Sequence, residues 1–226
     1  MKRTCSRVAV LICVFCTRAA FGIVNGQIDT FEDGTTMNWA NGAGNLINMD
    51  TGGPGGANDN FLQLSANGSP AIGGRLTTFN LFQWLGNYIA AGVNAIDLDL
   101  RNQGATTLSI RLAFKTQNLM NSPGYLSQAI TLAPGGGWQH FTVSLSQASL
   151  IAVGGPAAYN TFFTTGPGDA RIINEAGTST LNGDPIVGVV GIDNVHAVPE
   201  PSSVVLLVLA IGVIAAGRSA RPGTSR

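Results

Sequence analysis

Between residues 27 and 196 apolar side chains recur at every second position, and Gly-, Pro- and Asn-rich clusters separate the runs. The alternation predicts strands over 27–31, 46–49, 60–66, 75–80, 93–101, 106–116, 126–132, 138–145, 170–174 and 186–196. Turns are expected at 50–56, 67–70, 121–124 and 134–137, where Gly, Pro, Asn and Ser dominate. Such spacing implies one all-β domain, an antiparallel β-sandwich. Residues 145–170 are less regular, and a short helix is expected from Ser146 to Val153.

One hairpin can be registered from the pattern. Ile96, Leu98 and Leu100 alternate with Asp97, Asp99 and Arg101, while Leu108, Ile110, Leu112 and Phe114 alternate with Ser109, Arg111 and Lys115. Setting Leu100 opposite Leu108 and Leu98 opposite Ile110 keeps apolar beside apolar, and a slip of one would not. This register predicts a three-residue turn at Gln103-Gly104-Ala105 and a cross-strand Asp97–Arg111 pair worth about 0.2–1 kcal/mol. The other role open to Asp97 and Asp99 is a catalytic carboxylate pair.

The chain ends differ from this middle. Met1 to Arg7 is basic, Val8 to Cys16 is a nine-residue apolar run, and Ala20-Phe21-Gly22 has the small-x-small pattern of a cleavage site. This reads as a secretory signal over 1–22, because nine apolar residues are too few to cross about 30 Å of hydrocarbon. At the other end Val198-Pro199-Glu200-Pro201-Ser202 precedes an apolar run from Val204, and Arg218 and Arg221 follow. A helix is expected over about 203–217, and its fourteen residues from Val204 to Gly217 would be roughly 21 Å long, short for a membrane span. The terminal arginines are expected to stay cytoplasmic, leaving 23–197 outside.

In its order of parts, residues 198–226 resemble the PEP-CTERM sorting tails of exported bacterial proteins: the triplet Pro199, Glu200, Pro201, then a short apolar helix, then arginines. The resemblance implies an exosortase-type processing enzyme as a partner and a membrane held through the C-terminal helix. It also implies a final place at the cell surface or in the extracellular matrix.

Charge and cysteine content narrow the functions further. The formal net charge is zero, but residues 23–197 carry eleven acids against five bases. An acidic body without clustered Lys and Arg predicts no nucleic-acid partner. Cys5, Cys13 and Cys16 all lie in the leader, so the mature chain would have neither disulfide nor thiol nucleophile. No Gly-x-Ser-x-Gly, phosphate loop or His-Glu-x-x-His occurs, and His140 and His196 lack metal-ligand spacing.

Ile28-Asp29-Thr30-Phe31-Glu32-Asp33-Gly34, with Trp39 after it, and Gly191-Ile192-Asp193-Asn194-Val195 resemble the first and last strands of galactose-binding-like, carbohydrate-binding-module-type jelly rolls. Gly137-Trp138 followed by Phe141 and Val143 is similar to their interior turns. The resemblance implies a jelly-roll sandwich with a structural Ca2+ held by Glu32 and Asp193, with Asp29 or Asp33 as additional ligands. The competing reading makes Glu32-Asp33-Gly34 a turn and Asp193 a strand end. Trp84 and Tyr88, four residues apart, are candidates for a ligand-binding face or for packing, and Trp39 and Trp138 are expected in the core. Two functions follow: an exported, non-catalytic module that binds extracellular polysaccharide, or a small jelly-roll glycan hydrolase or lyase with two convergent carboxylates.

Overall fold

The computed structural model of the chain describes residues 22–41, 45–70 and 73–199. The predicted leader up to Phe21 and the predicted C-terminal helix lie outside the described residues, as do Glu200 and Pro201. Among the described residues no helix is long and apolar enough to cross a membrane.

The strands, in chain order, are β1 (Ile28–Asp29), β2 (Trp39–Ala40), β3 (Leu46–Met49), β4 (Phe61–Asn67), β5 (Thr77–Asn80), β6 (Val93–Asn102) and β7 (Leu108–Lys115). They continue with β8 (Gly124–Leu126), β9 (Ile130–Leu132), β10 (Gln139–Ser144), β11 (Ile151–Val153), β12 (Asp169–Asn174) and β13 (Val187–Pro199). Two short helices, α1 (Tyr88–Ala91) and α2 (Tyr159–Thr165), close one end. The all-β sandwich expected from the alternation is present: one sheet runs β10-β6-β13-β4-β3 with β1 beside β13, the other β11-β8-β7-β12-β5-β2 with β9 beside β7. Every pairing is antiparallel.

The expected hairpin between 93–101 and 106–116 does not form. β6 pairs with β10 and β13, whereas β7 pairs with β8, β9 and β12, so the two strands lie in opposite sheets. Leu98, Leu100, Leu108 and Ile110 share the core across the sandwich instead of across a ladder. Alternation states which face of a strand is buried, and it is the same whether the apolar partner lies beside the strand or opposite it. Asn102 supports the crossing. Its Nδ2 donates to the carbonyls of Thr106 and Leu132, both at 2.9 Å, and its Oδ1 accepts the N–H of Gly104 at 3.0 Å. The Asp97–Arg111 pair is consequently absent, and Arg111 donates to the carbonyls of Glu175 and Ser127.

Two smaller expectations also change. Residues 126–132 divide into β8 and β9 around Ser127, which pairs out of register with Leu112 through both its backbone N–H and its Oγ. The helix expected over Ser146–Val153 is a turn followed by β11, and the helices form at α1 and α2. Asn87 caps α1 by accepting the N–H of Ala90 at 2.8 Å, and Gly92 ends it with φ 68°. α2 ends at Gly166, where a Cβ would collide with the carbonyl of Gly86.

At this end an aromatic cluster fills the space between the sheets. Phe163 is almost fully buried and meets Tyr88, Phe114 and Tyr125 with ring centroids 5.5–5.6 Å apart. Phe163→Ala is expected to lower unfolding free energy by about 3–5 kcal/mol, measured by urea denaturation, because the cavity has aromatic walls that cannot collapse.

Candidate functional site

Three neighbouring strands bring the candidate side chains together. His140 in β10, Asp99 in β6 and Asp193 in β13 stand opposite one another, and their strand neighbours Phe141, Leu98, Leu100 and Ile192 face the core. The three polar groups therefore share the outer face of the sheet. His140 Nδ1 lies 2.9 Å from Asp99 Oδ1, and its Nε2 lies 3.8 Å from Asp97 Oδ2.

A bulge in β13 shapes this face. Asn194 has φ 49°, and the register with β6 shifts between Asp193 and His196. Val190 and Ile192 point inward before the bulge, Val195 and Ala197 after it, so the alternation slips by one residue. Asn194 donates its Nδ2 to Asp99 Oδ2 at 2.8 Å and its backbone N–H to Asp193 Oδ1 at 2.7 Å. Asp193 is buried, and its Oδ2 has no hydrogen-bond partner. Burial pushes its carboxyl up to about 7; the Asn194 N–H opposes this, and the charges of Asp59, Asp99 and Glu32 add to it.

Glu32 approaches from the segment after β1. Its Oε1 accepts the N–H of Asn60 at 3.0 Å, and Asn48 Nδ2 ties the same segment down through the carbonyls of Phe31 and Thr35 at 2.8 and 2.7 Å. Asp33 caps the turn by accepting from the N–H and hydroxyl of Thr35, so the turn reading holds for Asp33 and Gly34. A buried carboxylate oxygen without a donor, with three other acids nearby, is the local condition that a bound cation relieves. Of the expected Ca2+ ligands, Asp193 alone has such an oxygen, and Glu32 Oε1 accepts the Asn60 N–H. Among the described residues no three His, Cys, Asp or Glu side chains are grouped to hold a metal. Backbone carbonyls and water would have to complete its six to eight oxygens.

Asp29 does not join them. Its Oδ2 accepts the indole N–H groups of Trp39 and Trp84 at 2.8 and 2.6 Å and the Nε2 of Gln83 at 3.2 Å. Burial raises its pKa while these three donors lower it. It is a packing carboxylate at the floor of a cleft of about 520 Å³ lined by Asp33, Thr35, Met37, Asn38 and Gln83. Trp84 and Tyr88 are also interior: both are about 1% exposed, and Tyr88 Oη donates to the Trp84 carbonyl at 2.7 Å. They present no face to a ligand. Trp84 lies in the turn before α1 and Tyr88 opens the helix, so their spacing of four does not place them on one helical face.

Trp138, expected in the core, is half-buried on the outer face beside His140. Its Nε1 donates to the carbonyl of Gly52 at 2.9 Å, and Phe61 meets it edge-on with centroids 5.1 Å apart. It lies over Gly191, where a Cβ would come within 2.6 Å of the ring. That glycine, two residues before Asp193, was the signal for a side chain crossing the strand.

The outer face of the other sheet is occupied by the chain itself. Leu181 packs on Ala113, Leu126 and Ile173, Lys115 Nζ donates to Asn182 Oδ1 at 2.7 Å, and Arg75 donates to the carbonyl of Gly183. Beneath lie Asp169 and Arg171, paired through Arg171 Nε at 2.7 Å, and the Lys115 amine, which burial and the Arg171 charge push down to about 8 against the attraction of Asp169. At the start of the covering segment Glu175 is buried, with Oε2 unpartnered. Burial and the neighbouring Asp184 push its carboxyl up to about 7, against the charges of Arg111 and Arg75.

Because Glu175 binds its proton more tightly in the folded chain, its stabilising effect is full below pH 4.5 and disappears as the pH rises to about 7. Glu175→Gln is expected to flatten the fall in unfolding free energy over that interval, by up to about 1.4 kcal/mol per pH unit. Urea titrations of both proteins between pH 4 and 8 check this.

No curated protein sequence matches the chain. In fold the sandwich is similar to the family 11 carbohydrate-binding module of Clostridium thermocellum in complex with a β-1,3-1,4-mixed-linked tetrasaccharide, with TM-score 0.51 and 15% identity over 78% of this chain and 96% of that one. The family 11 module of the cellulosomal cellulase Lic26A-Cel5E from the same organism gives TM-score 0.50 and 14% identity, over 78% and 95% of the two chains. An exo-β-agarase is also similar, with TM-score 0.53 and 12% identity over 78% of this chain, but the similarity spans only 25% of the agarase. The PEP-CTERM protein-sorting motif model matches residues 197–221, starting within β13. The chain thus carries a PEP-CTERM sorting motif directly behind a β-sandwich similar in fold to carbohydrate-binding modules.

Proposed function

We propose that this chain is an exported, non-catalytic module that binds extracellular polysaccharide, delivered by its PEP-CTERM tail. In this reading the tail holds the chain at the membrane through its apolar helix until an exosortase-type enzyme acts at Pro199, Glu200 and Pro201. The observation that carries it is the junction itself: the sorting motif begins in the last strand of a carbohydrate-binding-module-like sandwich. A glycan would meet Trp138, His140 and Asp99 on the outer face, where a part-buried ring and polar groups suit stacking and hydroxyl recognition. The hydrolase alternative draws on the agarase likeness. Against it, Asp99 is already committed to His140 and Asn194.

Ca2+ at Asp193 and Glu32 would neutralise the acids around the bulge and fix the segment after β1 against β13. It would have a structural role only.

Intact mass of the exported product, made in a host with the matching exosortase, is expected to show loss of the chain beyond the triplet; retention through Arg226 would leave a simple tether. The exported product is expected to be retained on an insoluble extracellular polysaccharide, with retention reduced about tenfold by Trp138→Ala, the loss expected from one stacking contact of about 1.4 kcal/mol, and no new reducing ends. Retention on no polysaccharide tested would sink the binding reading. Added Ca2+ is expected to raise the melting temperature of the parent protein and not of Asp193→Asn.

A further inference from the structure

The last residue of β13 sets how far the folded body can stand from whatever holds the tail. Pro199 still pairs with Val93, and Val198 with Ala95. The apolar run begins at Val204, so only Glu200–Ser203 intervene. Five Cα steps reach about 17 Å at full extension. On the reading above, in which the tail is inserted in the membrane, this end of the sandwich stays within that distance of the lipid.

Four of the segments that converge there are uncharged, whereas residues 30–38, joined to one of them through Asn38 and Gln83, carry the exposed acids Glu32 and Asp33. Ile23 N donates to the Leu85 carbonyl and Gly26 N to the Ala197 carbonyl, α1 leads into β6 at Val93, and Leu145 N donates to the Asn94 carbonyl. β7 ends at the same place, where Gly168 N donates to the Lys115 carbonyl behind α2. Segments 22–27, 81–92, 116–124 and 144–168 contain no Asp, Glu, Lys, Arg or His. They and β1 carry Val24, Ile28, Phe82, Ile89, Leu119 and Met120, which are between 44% and 65% exposed. Among the described residues only Ile47 and Val187 are also large, apolar and this exposed. Val187 opens β13, about 40 Å up the strand from Pro199.

We propose that this end is a membrane-docking surface: while the tail is inserted, these apolar side chains seat in the headgroup region of the bilayer beside it. No charged group on these loops has to be dehydrated for that to happen. The short tether holds the surface at high effective concentration, so a modest apolar patch is enough. With no Lys or Arg on these loops, docking needs neutral lipid only and is insensitive to salt. Pro199 would then be presented at the membrane surface.

The test uses residues 23–226, the cysteine-free chain without its predicted leader, in phosphatidylcholine vesicles, with one environment-sensitive fluorophore at Phe82→Cys, Ile89→Cys or Val187→Cys. Headgroup spin-labelled lipid is expected to quench the probes at 82 and 89 several-fold more than the probe at 187, equally in low and high salt. Equal quenching at all three positions, in chains that resist alkaline carbonate extraction, overturns the docking surface and leaves the inserted tail standing. Extraction by carbonate removes the tether and overturns both. Quenching at 82 and 89 that is lost in high salt overturns the apolar mechanism.

Discussion

β13 is paired along both edges, by β6 on one side and by β4 and then β1 on the other, and the rest of the molecule depends on that placement. Its inward residues Val190, Ile192, Val195 and Ala197 belong to the main core. Its outward Asp193 is the centre of the acidic site. Its last residue, Pro199, belongs to the sorting motif. One strand therefore joins stability, site and exit, and it does so across a bulge that a single left-handed Asn makes possible.

The bulge matters because a sheet face and a core face alternate without exception in a regular strand. If β13 ran regularly from Val187 to Pro199, either Ile192 or Val195 would face water. Asn194 absorbs the extra residue, and its side chain and N–H then serve Asp99 and Asp193. Backbone irregularity and polar site are the same feature. The cost is a buried Asp193 oxygen left without a donor.

The two outer faces have diverged in their chemistry. On one, residues 175–185 cover the sheet and bury Lys115, Asp169 and Arg171 in a closed network. On the other, Trp138 crosses Gly191 and leaves its ring part-buried beside His140. The main core between the sheets is apolar, with the aromatic cluster around Phe163 at the end where the chain leaves. At that end segments 22–27, 81–92, 116–124 and 144–168 hold no charged residue, and the acids Glu32 and Asp33 lie in the neighbouring 30–38 segment.

The sorting motif, the sandwich class and most strand positions were legible in the sequence because each depends on local order: a triplet before an apolar run, or side chains alternating about one backbone. Glu32 and Asp193 were named through resemblance alone, and no local pattern in the sequence sets them beside each other. Partnership between strands was not legible, since β6 and β7 present the same alternation whether they pair or face each other across the core. The fates of Asp29, Trp84 and Tyr88 were likewise hidden. A carboxylate that accepts two indole N–H groups ten and fifty-five residues away has no local signature, and only the tertiary structure decides whether an acid faces a metal, a sugar or a tryptophan.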